Sequence, residues 1–185
     1  SVYGLLIILL PVFIRMKDEI LKHIEINDPF AIANLEAEIS WSGFESLIGF
    51  LFILAVIYSM YFSKPARNKI AGLLISCIFF MWFTMVIIVP KVEGYTQRAA
   101  VEFYKKYEER DVYIATLGFK SYAHLFYSKV EPHNHPSATE TEWLLSGDIN
   151  KPAYFVFKIN KKERYLQEFP QLEYLYEKNG FVFTK

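Results

Sequence analysis

Only one of the 185 residues is cysteine, so no disulfide forms within the chain and no Cys-pair motif is present. Charge is missing over a long stretch: the twenty residues from Ile70 to Val89 carry none. Coiled at 1.5 Å per residue, such a run covers roughly 30 Å, the thickness of a bilayer's hydrocarbon core. A buried helix of a soluble domain is the competing reading, but such helices are usually shorter. Formal net charge is zero, and residues 91–185 hold 14 Lys and Arg against 13 Asp and Glu. That balance excludes the basic footprint of a nucleic-acid binder. A Walker loop, a Gly-x-Ser-x-Gly elbow and internal repeats are also missing from the sequence. No complete catalytic constellation is present.

What the chain does have is apolar material, 53% of the total, concentrated before Pro90. A second apolar stretch runs from Gly43 to Phe62, with Glu45 close to the end that reaches the interface. A third, Val2 to Ile14, is too short to span and begins without a methionine. A signal peptide would need a basic n-region and an A-x-A-like site, which this stretch lacks. The expectation is a transmembrane region over residues 1–90, with spans at about 1–14 (truncated), 43–62 and 70–89. A soluble domain over residues 91–185, long enough for one core of its own, follows. The whole reads as the carboxy-terminal piece of a longer membrane protein.

Loop charge sets the expected orientation. Ser63 to Lys69 (SKPARNK) carries Lys64, Arg67 and Lys69 and no acid, whereas the loop from Arg15 to Ser42 is acidic. Basic short loops stay in the cytoplasm. The acidic loop and residues 91–185 are therefore expected outside, in the periplasm of a bacterium, with the spans in its inner membrane. Within the outer loop, Asp28-Pro29 is a helix start with Asp as N-cap and Pro at the first position. Ala31, Ile32, Leu35 and Ile39 follow at helical spacing, predicting an amphipathic helix on the membrane surface or packed on the protein.

Beyond Pro90 the pattern alternates. Tyr95, Ala99, Ala100, Phe103 and Tyr107 mark one face of a helix, with Glu102 and Lys106 spaced to pair on the other. Strands are predicted over 111–117 and 153–159 and helices over 119–127 and 161–168. Two short strands over 171–185 turn at Asn179-Gly180. This alternation predicts a small α/β domain with a mostly parallel sheet, whose carboxy edge is where ligands of such sheets bind. Gly118, Lys120, Ser121, Tyr122 and His124 follow the first strand at that edge. Lys120 and Ser121, with Tyr122 beside them, have the chemistry to meet a phosphate or a sugar. The plainer reading makes Gly118 a turn, Lys120 solvated surface, and Tyr122 with Phe126 core. Glu131, His133 and His135 are the one metal-like cluster, with too few ligands for a site and a better fit to a solvated loop.

A resemblance enters with longer phrases of this domain. Val89-Pro90-Lys91, Tyr95-Thr96-Gln97, Gly118-Phe119-Lys120-Ser121-Tyr122-Ala123, Lys151-Pro152-Ala153-Tyr154-Phe155-Val156 and Asn179-Gly180-Phe181-Val182-Phe183 stand in order over about the last 100 residues. The region resembles the carboxy-terminal part of bacterial membrane glycosyltransferases, the superfamily of the protein O-mannosyltransferases and the lipid A aminoarabinose transferase. The resemblance implies a multi-span enzyme that moves a sugar from a polyprenyl-phosphate carrier to an acceptor at the outer membrane face. Its partners are membrane lipid, the donor and the missing amino-terminal part of the chain. The family's catalytic Asp lies in a first outer loop that these residues do not include, so no catalytic residue carries over. Some members use a divalent metal; no cofactor is implied within these 185 residues. The alternative reading is a non-catalytic membrane-anchored binding or assembly domain.

Overall fold

A computed structural model of the protein describes residues 1–129 and 137–185. In chain order the first helices are α1 (Val2–Arg15), α2 (Lys17–Leu21), α3 (Pro29–Leu35), α4 (Ser46–Tyr61) and α5 (Ala66–Phe83). A π-helical turn, Thr84–Ile88, leads to α6 (Val89–Thr96) and α7 (Arg98–Lys106). Strand β1 (Tyr113–Thr116), α8 (Ala123–Ser128) and α9 (Thr141–Ser146) come next. The chain closes with β2 (Ala153–Lys158), α10 (Lys162–Glu168), β3 (Tyr174–Lys178) and β4 (Phe181–Thr184). Two compact units result: Ser1–Glu25 with Glu38–Glu93, and Ile26–Ala37 with Gly94–Lys185.

In the first unit α4 packs between α1 and α5. The pairing is antiparallel at both seams, with Gly4 against Ile53 and Ile8 against Gly49 on one side. On the other, Gly72 meets Ser59 and Phe80 stacks on Phe52 at 4.2 Å between centroids. Small residues form these seams. A Cβ at Gly49 would stand 2.2 Å from the Gly4 carbonyl oxygen, so only glycine lets the two backbones approach this closely. Large apolar residues face away instead: Leu51, Ile78 and Met81 are 60%, 65% and 61% exposed. Small seams and greasy exteriors are what helices packed in lipid need, and the reverse of a soluble bundle.

The expectation of two full spans is corrected. Among the described residues one helix, the 31-residue run Ala66–Thr96, is long and apolar enough to cross a membrane. Helix α4 has 16 residues, about 24 Å, because Gly43 to Glu45 form a turn instead of a first helical turn. Gly43 has φ +92 and its carbonyl accepts from Ser46 N–H at 3.2 Å. The long helix also passes its expected end at Pro90. Proline offers no N–H and crowds the carbonyl four residues back, and the π turn just before it opens the ladder at that point.

The second unit is a four-stranded sheet in the order β1-β2-β4-β3. Only β1 and β2 run parallel; β2 with β4 and β4 with β3 are antiparallel. The sheet is therefore mixed, not mostly parallel. The reason lies in the last turn, where Asn179 (φ 49) and Gly180 (φ 76) close a two-residue hairpin of the I′ kind. The hairpin forces β3 and β4 antiparallel, and apolar Phe-Val-Phe-Thr of β4 takes the buried place beside β2. Charged β3 goes to the edge.

Side-chain alternation sends Phe155, Phe157 and Val182 to one face and Val156, Phe181 and Phe183 to the other. Helices cover both. Leu144 and Leu145 of α9, with Tyr165 and Leu166 of α10, pack on the first. Ala99, Ala100, Phe103 and Tyr104 of α7, with Tyr127 of α8, pack on the second. The expected apolar face of α7 is thus in the core. Its expected Glu102–Lys106 pair is not made: Glu102 bonds Lys178 on β3 at 2.8 Å.

Candidate functional site

At the carboxy edge of the parallel pair, β1 runs into Leu117 and Gly118. Gly118 holds φ +72, and a Cβ there would lie 2.3 Å from the Tyr165 hydroxyl oxygen. The positive φ favours glycine there. Thr116 Oγ1 then donates to the Phe119 carbonyl at 2.9 Å, pinning the turn. Ser121 Oγ accepts from Ala123 N–H at 3.2 Å, which commits that hydroxyl to the start of α8. Lys120 is exposed, and Tyr122 and Phe126 are 81% and 74% exposed. The plain reading of Tyr122 and Phe126 as core is corrected. Lys120 and Tyr122 face outward at the head of α8, with half-buried Ser121 between them.

The rest of that edge is occupied by the chain itself. Asp28 caps α3 as expected, accepting from Phe30 N–H at 2.9 Å with Pro29 at the first position. Phe30, one residue before the expected apolar face, packs edge-on against Phe181 at 5.2 Å, while Ile32 of that face is 37% exposed and Ile39 lies beyond the helix. Lys158 Nζ stands 4.5 Å from the Phe30 ring centroid, a cation–π contact. Helical spacing identifies an apolar face but says nothing of what covers it.

A second polar cluster sits in the first unit and was not anticipated. The Glu45 carboxylate accepts from Ser42 N–H (3.2 Å), Ser42 Oγ (3.0 Å) and Gly43 N–H (2.7 Å). Lys91 Nζ completes it at 2.8 Å. Lys91 also donates to the Ser40 carbonyl at 2.5 Å and lies 5.3 Å from the Trp41 ring centroid. Arg15 donates to the Ser42 carbonyl at 3.2 Å. Both carboxylate oxygens are engaged and Glu45 is 4% exposed, so this is a clasp joining the turn before α4 to the helix after α5. A general acid or base needs a carboxylate face open to substrate; Glu45 has none. Glu36 and Glu38, two further acids of that loop region, are exposed. The sequence did contain a signal: Glu45 and Lys91 flank neighbouring apolar runs at ends that antiparallel packing brings together.

His124 is the remaining polar group near α8. Burial lowers its pKa below 6.5, against a smaller opposing effect of the Ser121 backbone. Its Nδ1 and the nearby Tyr104 hydroxyl are buried with no hydrogen-bond partner among the described residues, and their rings lie 6.1 Å apart. A histidine held neutral stabilises the fold fully above its ordinary pKa, and that stability is lost as pH falls through the lowered folded value. We expect the domain's Tm to drop between pH 7 and pH 5. His124→Phe should remove part of that slope, at most about 1.4 kcal/mol per pH unit. Thermal melts at both pH values check it; parallel slopes in the two proteins would exclude His124 as a source.

Among the described residues no group of three or more His, Cys, Asp or Glu side chains is placed to hold a metal ion. Glu131, His133 and His135 lie outside the described residues. No protein-family model matches the chain, and no curated protein or solved structure matches it either.

Proposed function

We propose that the chain is the carboxy-terminal part of a bacterial membrane glycosyltransferase. It would serve transfer of a sugar from a polyprenyl-phosphate donor to an acceptor on the outer face of the cytoplasmic membrane. The observation that carries the proposal is a junction: the 31-residue apolar helix passes through Gln97 alone into α7 of an α/β domain. It is this domain whose phrases resemble the family. The small-residue seams and apolar exterior of the first unit support a lipid surround. In the proposed reading the short basic loop 63–69 is cytoplasmic and residues after Pro90 are periplasmic. The Arg15–Glu45–Lys91 cluster then lies at the outer end of the helices, where polar groups suit the headgroup region.

The domain's share of the chemistry is binding. Lys120 supplies a point charge for a phosphate and Tyr122 an aromatic face for a sugar, with Ser121 fixing the turn that presents them. The acid comes from the amino-terminal part of the protein, and no step is assigned to a metal.

Transfer of radiolabelled sugar from a polyprenyl-phosphate donor by membranes carrying the full-length protein tests this. Lys120→Ala should lower transfer while changing stability by no more than about 0.5 kcal/mol. Transfer at the wild-type rate would return Lys120 to ordinary surface. Absence of transfer by the intact protein, with envelope assembly impaired on its deletion, would favour the anchored binding domain instead.

A further inference from the structure

Tyr122, the residue before α8, stands at i to Leu125 (i+3) and Phe126 (i+4) on the helix, and the three form one outward face. They are 81%, 58% and 74% exposed. The opposite face of the same helix is spent on the fold, with Ala123 and Tyr127 packed on the core and Ser128 buried. Other exposed large apolar side chains described in this unit, Ile32, Tyr174 and Tyr176, lie at only 36–44%. Such a protrusion of two aromatic rings and a leucine, with exposed Lys120 beside it, has the composition of an interfacial anchor. The leucine and phenylalanine enter the headgroup–acyl boundary, the tyrosine stays at its wet rim, open to a lipid-linked sugar, and the ammonium meets phosphate at the same depth.

Connectivity names the occupant. Helix α6 is continuous with the long apolar helix, and Gln97 alone separates it from α7, on which α8 packs. A domain of this size has a radius of gyration of about 13 Å, so a one-residue tether keeps it within about one domain diameter of the bilayer. At that effective concentration even a three-residue wedge binds without needing high intrinsic affinity.

We infer that the Tyr122–Leu125–Phe126 face of α8 inserts into the interfacial zone of the membrane that the long helix crosses. The inference rests on the membrane-span part of the proposed function and is independent of sugar transfer. In that position Lys120 sits at phosphate depth.

The test uses single-cysteine forms of the full chain carrying an environment-sensitive fluorophore. These are native Cys77, which is exposed on α5, and Phe126→Cys, Leu125→Cys and Asp148→Cys, each combined with Cys77→Ala. All are reconstituted into vesicles of phosphatidylcholine and phosphatidylglycerol with brominated acyl chains. Labels at 77, 125 and 126 should be quenched by about twofold or more and the label at 148 left unquenched, since only acyl-depth probes meet the bromines. Quenching at 77 without quenching at 125 and 126 would overturn the inference and leave the span intact, and a blue shift at 126 without quenching would assign the face to protein. Loss of quenching at 77 itself would remove the span reading and this inference with it.

Discussion

Replacing Lys91 with methionine is expected to destabilise the helical unit by about 3 kcal/mol, because it strands a buried carboxylate. Glu45 is 4% exposed and draws one of its four close partners from Lys91. The other three, from Ser42 and Gly43, are neutral donors that cannot offset its charge. Removing the charge as well should restore most of the loss, so Glu45→Gln combined with Lys91→Met is expected to lie well above Lys91→Met alone. Trp41 provides the readout, since Lys91 stands 5.3 Å from its ring centroid and its emission should follow opening of the clasp. Denaturant unfolding of the chain in detergent, followed at Trp41 with Trp82 and Trp143 replaced by phenylalanine, measures both variants. A single-variant change within about 0.5 kcal/mol would show the pair to be no stronger than a surface salt bridge.

The clasp also marks where sequence reasoning runs out. Local signals were legible: the Asp28-Pro29 start of α3, the buried face of α7, the four strand positions and the turn at Asn179-Gly180 all follow from neighbours within a few residues. What failed depended on partners far along the chain. Glu45 and Lys91 are brought together only by antiparallel packing of α4 on α5, with Gly72 against Ser59 and Phe80 on Phe52. Glu102 has Lys106 within a helical turn yet bonds Lys178, because the edge strand β3 brings that ammonium beside it. Strand direction is hidden for a similar reason: alternating strands and helices suggest parallel crossovers, yet a closing hairpin reverses the last pair. Helix α9 has six residues, too few to show a readable periodicity. At the candidate site the residue types were visible and their burial was not. Tyr122 and Phe126 have core chemistry and a surface position, and that conflict between type and place is what singles out α8.

Phe103→Ala is expected to cost the domain about 4 kcal/mol, the other large effect. Phe103 is 1% exposed and sits at the centre of an aromatic cluster. It stacks on Phe183 at 4.5 Å and meets Tyr107, Tyr154 and Tyr176 at 5.1, 6.2 and 6.2 Å between centroids. Truncation removes the transfer free energy of the ring and leaves a cavity walled by other rings, which cannot collapse because β2 and β4 hold them in register. For a domain of this length 1 kcal/mol corresponds to about 4–8 °C, so its Tm should fall by about 15 °C or more. Phe103→Leu keeps most of the volume and should lose clearly less. Tyr122→Ala, measured in detergent beside them, should shift stability by no more than about 0.5 kcal/mol, as an exposed side chain does. Equal losses for Phe103→Ala and Tyr122→Ala would mean that α8 packs inward and that the exposed face described for it does not exist.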